Sequence, residues 1–158
     1  MTLANMTQEE TNRVNREHCK SIAQDLELIA LGQAYKCPYC DEIIDSEEYT
    51  ENEAFYEALT DGDECECPHC HETEEFQQLS VYDWLDDALD IQYTVNHDLS
   101  YYAGRVMVAC GGPNIYVDTF RGEVALYWWT DRAEYDLTTT ARDALDETLE
   151  ELYEMARA

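Results

Sequence analysis

The sequence predicts an α+β chain built as an N-terminal helix, a cysteine-rich module with a helical insertion, then a helix, a four-stranded antiparallel meander and a C-terminal helix. Three observations carry this. Apolar residues recur at helical spacing before Gly32 and again after Thr140, apolar and polar residues alternate between Ile91 and Trp128, and two Cys-Pro-x-Cys motifs lie between these regions. The boundaries follow at 1–34 for the first helix, 35–78 for the module and 79–158 for the αββββα region. At 158 residues and 18.3 kDa the chain has the size of one domain, or of a small domain with a metal-stapled module attached.

Thr7 followed by Glu10 fits a capping box, so a helix is expected from about residue 8 to 31, closed by Gly32. Val14, His18, Ile22, Leu26 and Ile29 form its expected inner stripe, while Arg13, Arg16 and Lys20 form a solvated basic cluster. Within the module, Asn52 to Thr60 suggests a short helix through Ala54, Phe55, Ala58 and Leu59. Ser80 with Asp83 caps a further helix over about 81–90, with Val81, Trp84, Leu85, Ala88 and Leu89 inward. Four strands follow, their inward sets being Ile91/Tyr93/Val95, Val106/Val108/Cys110, Ile115/Val117 and Val124/Leu126/Trp128. Turns at Asn96-His97-Asp98, Gly111-Gly112-Pro113-Asn114 and Phe120-Arg121-Gly122-Glu123 join them. Thr140 with Asp143 starts the last helix, whose Ala141, Leu145, Leu149 and Leu152 cover the buried sheet face.

Charge excludes one class of function. Thirty-six acids against nine Lys and Arg give −27, which disfavours direct nucleic-acid binding because that binding needs cations to neutralise phosphates. The distribution is uneven: residues 1–20 carry three acids and three bases, residues 21–104 carry 22 acids and only Lys36, and residues 105–158 carry 11 acids and five arginines. No run approaches the ~20 apolar residues of a membrane span. The first twenty residues lack a basic segment followed by an apolar one, so the expected compartment is the cytoplasm of a host cell, with thiols reduced and available to metal.

Cys37-Pro-Tyr-Cys40 and Cys67-Pro-His-Cys70 lie 26 residues apart. A two-residue gap lets a tight turn aim two thiolates at one ion, and two such turns complete a tetrahedral S4 shell. Soft thiolates with no open position select structural zinc, one Zn2+ per chain. Cys65, His69 and His71 are close enough to be second-choice ligands, and a redox dithiol pair or a catalytic metal is the competing chemistry. Residues 35–78 thus resemble a zinc ribbon, which implies two hairpins facing each other across the ion. Cys19 and Cys110 read as buried small apolar residues.

No nucleophile elbow, triad or phosphate cradle can be assembled, and no enzyme is expected. Gly111-Gly112-Pro113-Asn114 stands between strands and reads as a turn. The run Val108-Ala-Cys-Gly-Gly-Pro-Asn-Ile-Tyr-Val-Asp-Thr119, then Leu126-Tyr-Trp-Trp129 and Glu150-Glu-Leu-Tyr153, resembles small acidic proteins carried by bacteriophages and conjugative elements, over residues 85–156. That resemblance implies a mobile-element context, where such proteins often inhibit host defence.

Two functions follow as expectations. In the first, the acidic middle mimics DNA and occupies the basic channel of a host restriction or CRISPR-type enzyme. Its surface would comprise Asp41, Glu42, Asp45, Glu47, Glu48, Asp61, Asp63, Glu64, Glu66, Asp83, Asp86, Asp87 and Asp90. In the second, a zinc-ribbon adaptor binds a protein through Tyr127 and Trp129, which alternation places opposite Trp128 on the outer strand face. Acidity would then reflect solubility or a salt-loving host.

Overall fold

The computed structural model describes residues 6–158. Helix α1 (Gln8–Ala30) begins at Thr7, whose hydroxyl accepts from the Glu10 amide while the Glu10 carboxylate accepts from the Thr7 amide. The module follows, with β1 (Ala34–Lys36), β2 (Ile43–Asp45), a 3-10 turn over Ser46–Tyr49, α2 (Glu53–Asp61), β3 (Glu64–Glu66), β4 (Thr73–Glu75) and β5 (Gln77–Gln78). Then come α3 (Val81–Asp86), the strands β6 (Asp90–Val95), β7 (Tyr101–Ala109), β8 (Asn114–Asp118), β9 (Glu123–Trp128) and β10 (Asp131–Asp136), and finally α4 (Thr139–Arg157). No helix among the described residues is long and apolar enough to cross a membrane.

Strands β6 to β10 form one antiparallel meander in chain order, and α1 and α4 pack together on one of its faces. Val106, Ile115, Val117, Val124 and Leu126 from the sheet meet Cys19, Ala23 and Leu26 of α1 and Ala141, Leu145 and Leu149 of α4. Full burial of each large aliphatic side chain contributes roughly 1.5–3 kcal/mol. Gly104 sets the approach of α4: a Cβ there would lie 2.5 Å from Leu149 Cδ1. A second small core joins Tyr35, Cys37, Ile44, Leu59, Cys65, Cys67 and Phe76 within the module, and a third of Ile29, Ala34 and Leu79 ties the module to the end of α1.

The α+β class and the order of helices agree with the expectation, and several details do not. The meander has five strands. The fifth, Asp-Arg-Ala-Glu-Tyr-Asp, buries only Ala133 fully and sits at the sheet edge, where charge replaces the apolar alternation that marks inner strands. Helix α3 stops at Asp86 rather than residue 90; Leu89 donates its amide to Met107, and Asp90 belongs to β6. Helix α4 is capped by Thr138, which accepts from the Ala141 amide, so Thr140 lies inside it. The inner face of α1 is rotated from the expected stripe: Cys19, Ala23, Leu26 and Ile29 are buried, whereas Val14 and His18 are exposed. Cys19 is the buried apolar thiol expected, its pKa pushed up to about 11 by burial. Cys110 is exposed, because a register shift between Met107 and Ala109 ends β7 before it. Val95 is exposed beyond a similar irregularity.

Candidate metal centre

The chain reverses at two knuckles built alike. In the first, the Cys37 amide donates to the Glu42 carbonyl at 3.1 Å and the Asp41 amide to the Cys37 carbonyl at 3.0 Å. In the second, the Cys67 amide donates to Glu72 and the His71 amide to Cys67, both at 2.9 Å. Each knuckle links the strands of one hairpin, β1 to β2 and β3 to β4. Strand β5 returns to β1, so the first hairpin becomes a three-stranded sheet.

The insertion explains the long spacing between the motifs. Asn52 caps α2, and Phe55 and Leu59 turn inward, with Phe55 against Tyr49 and Phe76 at ring separations of 5.0 and 6.4 Å. These rings add apolar area to a module whose strands are rich in acids.

The four predicted sulfurs converge. Cys37, Cys40, Cys67 and Cys70 each offer Sγ within 4.8 Å of the others, with Cys37 to Cys70 at 3.7 Å and Cys40 to Cys67 at 3.8 Å. These two opposite edges match those of a tetrahedron with ~3.8 Å edges, whose centre lies ~2.3 Å from each vertex, the length of a metal–thiolate bond of the zinc type. The cluster can hold one metal ion in a closed shell. The second-choice ligands stand outside it: Cys65 is buried in the module core, His69 is exposed, and the exposed His71 lies 3.4 Å from Glu66.

Backbone amides tune the sulfurs. Burial opposes ionisation of Cys37, but the amides of Cys40 and Tyr39 and the neighbouring thiols bring its pKa down to about 7. At Cys40 the Glu42 amide favours the thiolate, yet burial and the sulfurs of Cys37, Cys67 and Cys70 outweigh it and push the thiol up to about 12. Cys70, which the Glu72 amide serves in the same way, is also raised, by burial and the sulfurs of Cys37 and Cys67. Without a cation the cluster retains protons that a metal must displace.

The expected acidic surface divides by role. Asp41, Glu42, Glu47, Glu48, Asp61, Asp63, Glu64 and Glu66 are exposed on the module. Asp45 instead accepts from the Glu47 amide at 3.0 Å, and Asp83 caps α3 through Ser80, so both hold local structure. Asp86, Asp87 and Asp90 are exposed at the end of α3 and the start of β6.

The aromatic residues stand elsewhere, at the hairpin joining β9 to β10. Tyr127 is exposed on the outer sheet face with Arg132 over its ring at 5.5 Å, and Trp129 is 88% exposed. Trp128, expected inside, is 37% exposed because β9 continues past the core formed with α1 and α4. Trp129 takes a left-handed φ of 54° in a two-residue turn, a conformation that favours glycine and that no feature of the sequence marks.

No protein-family model, curated protein or solved structure matches this chain.

Proposed function

We propose that this chain is a mobile-element anti-defence protein: a zinc-stapled acidic decoy that fills the basic nucleic-acid channel of a host restriction or CRISPR-type enzyme. The observation that supports it is the lack of internal neutralisation. Of the 22 acids in residues 21–104, only Asp41 and Glu66 form ion pairs among the described residues, with Lys36 at 3.7 Å and His71 at 3.4 Å. Apart from Asp25, which is half-buried on α1, the other carboxylates face solvent or accept from backbone amides and serine hydroxyls. Zn2+ is the metal that suits the closed thiolate shell, and four thiolates leave that site at about −2, deepening the field around it. Ion and carboxylates then attract a cationic surface together.

The test is inhibition of a panel of restriction and CRISPR-type nucleases by the zinc-loaded protein, against a variant carrying Glu42, Glu47, Glu48, Asp61, Asp63 and Glu64 all changed to Lys. The set spares the capping residues Asp45 and Asp83. Inhibition of one enzyme should vanish in the variant, with zinc content and helix signal unchanged. It should also fade as salt shortens the screening length from ~10 Å at 0.1 M to ~3 Å at 1 M. The exposure of Tyr127 and Trp129 favours a second reading, a zinc-ribbon adaptor that binds a protein through its aromatic face. Binding that survives the charge reversals and high salt but is lost on Trp129→Ala would establish the adaptor instead.

A further inference from the structure

Trp129 is expensive for the fold and does nothing visible for it. An indole 88% exposed forgoes the burial that normally retains tryptophan, and φ of 54° adds a steric cost of order 1–3 kcal/mol. Its neighbour is held in place: the Trp128 ring lies so close over Gly112 that a Cβ there would stand 2.8 Å from Trp128 Cζ3. The two indoles meet edge to face, 6.0 Å apart at 83°. Together with Pro113 they form one wall of an open groove of about 380 Å³.

The opposite wall is one polar stripe of α1, Gln8, Thr11, Asn15 and His18. At ~100° per residue, Arg13, Arg16 and Lys20 project well away from that stripe, and Arg16 lies over Tyr135 at 5.2 Å. Asp131, which accepts from Gln8 at 2.9 Å, is the one acid among the described residues of the lining, and no described Lys or Arg joins it. Two aromatic faces and one carboxylate meet in this groove.

We propose that this groove binds a cationic side chain, arginine or lysine, presented by a peptide segment of the partner. The cation would lie on the free face of Trp129 near the Asp131 carboxylate. Charge complementarity selects this occupant: the chain carries −27, the groove adds Asp131, and its aromatic faces attract cations. The inference rests on the decoy reading only for the source of the cation, a basic partner. The groove meets the first half of α1, up to His18, while the metal module follows its end at Ala30, ~18 Å further along the helix. Groove and acidic module are therefore separate points of contact.

The experiment titrates the zinc-loaded, 15N-labelled protein with capped Gly-Arg-Gly, Gly-Lys-Gly and Gly-citrulline-Gly peptides, following the indole N–H signals of Trp128 and Trp129. One or both cationic peptides should move these signals saturably, and their difference identifies the preferred cation. The citrulline peptide, equal in shape to the arginine one and neutral, should bind at least about threefold more weakly. Trp129→Phe and Asp131→Asn should each weaken the cationic peptide about two- to tenfold while the remaining amide signals stay in place. Equal binding of citrulline, no saturable shift with either cation, or preference for a proline-rich peptide would overturn the proposal. No nuclease enters this titration, so its failure leaves the decoy test standing, and failure of the decoy test leaves the groove standing.

Discussion

Asp41 and His71 occupy the same place in the two knuckles, with φ of 60° and 64°, and each donates its amide to the carbonyl of its knuckle's first cysteine. Their partners repeat the match with the charge order reversed: Lys36 precedes Asp41 by five residues at 3.7 Å, and Glu66 precedes His71 by five at 3.4 Å. The repeat shows that the knuckle backbone is set by sulfur placement, and that the side chain at its left-handed corner is free to vary.

That corner predicts an asymmetric response to glycine. A left-handed conformation costs an ordinary residue roughly 1–2 kcal/mol, less for Asp, and glycine relieves it while losing part of the gain to unfolded-state entropy. Thermal melts of the metal-loaded protein should show His71→Gly stabilising by a few tenths to about 1 kcal/mol and Asp41→Gly by less. Loss of stability in His71→Gly comparable to that in His71→Val would show that the corner is not strained.

Metal removal should act locally. Protein purified without added metal should carry about one equivalent of zinc, and Cys37→Ser with Cys67→Ser should abolish it. Chelation should then speed hydrogen exchange across residues 34–79, whose core includes the ligand sulfurs, while amides of β7 to β9 stay protected. Uniform loss of protection would mean that the two cores unfold as one.

Acid should release the ion steeply. The metal-free Cys40 and Cys70 have raised pKa values, so binding near neutral pH expels at least their two protons, and apparent affinity should fall about a hundredfold or more per pH unit lost. Below about pH 7 Cys37 adds a third proton and the slope steepens. Competition with a zinc indicator between pH 6 and 8 measures it, and a slope of one proton or fewer would contradict the protonated thiol cluster.

Asp25 on α1 gives the opposite sign in stability. Burial, and then Glu42, raise its pKa, so its charged form is disfavoured in the folded state. Its contribution is greatest at low pH and is lost as pH rises from its ordinary value, 3.8, through the raised one. Asp25→Asn should therefore melt higher than the parent at pH 7, with the difference shrinking toward pH 4; a lower melting temperature at pH 7 would reveal an unrecognised partner for the carboxylate.

Gly104→Ala tests the packing of α4. Leu149 is fully buried and has nowhere to retreat from a Cβ at 2.5 Å, so the variant should lose ~1–3 kcal/mol in denaturant melts. Gly104→Ala combined with Leu149→Ala should recover part of that loss relative to Leu149→Ala alone; no recovery would place the strain elsewhere.

Features decided within a few residues were legible in the sequence. The Thr7/Glu10 and Ser80/Asp83 caps close over three residues, and Cys-Pro-x-Cys spacing makes each knuckle by itself, so the sequence determined where α1 and α3 start and which four sulfurs meet. Features decided between distant segments were not. Thr138, Thr139 and Thr140 can all cap a helix, and the bond from the Leu137 amide to the Gly122 carbonyl places the chain so that Thr138 does it. Gln77–Gln78 and Asp131–Asp136 are strands because β1 and β9 offer them open edges, an opportunity with no signature in their own polar residues. Trp128 has the right alternation for burial and the wrong position along the sheet, since only packing fixes where a core ends. Local hydrogen bonds and metal-ligand spacing are encoded within a turn of chain, whereas pairing partners, close approaches and the limits of the core are properties of surfaces that exist only once the chain has folded.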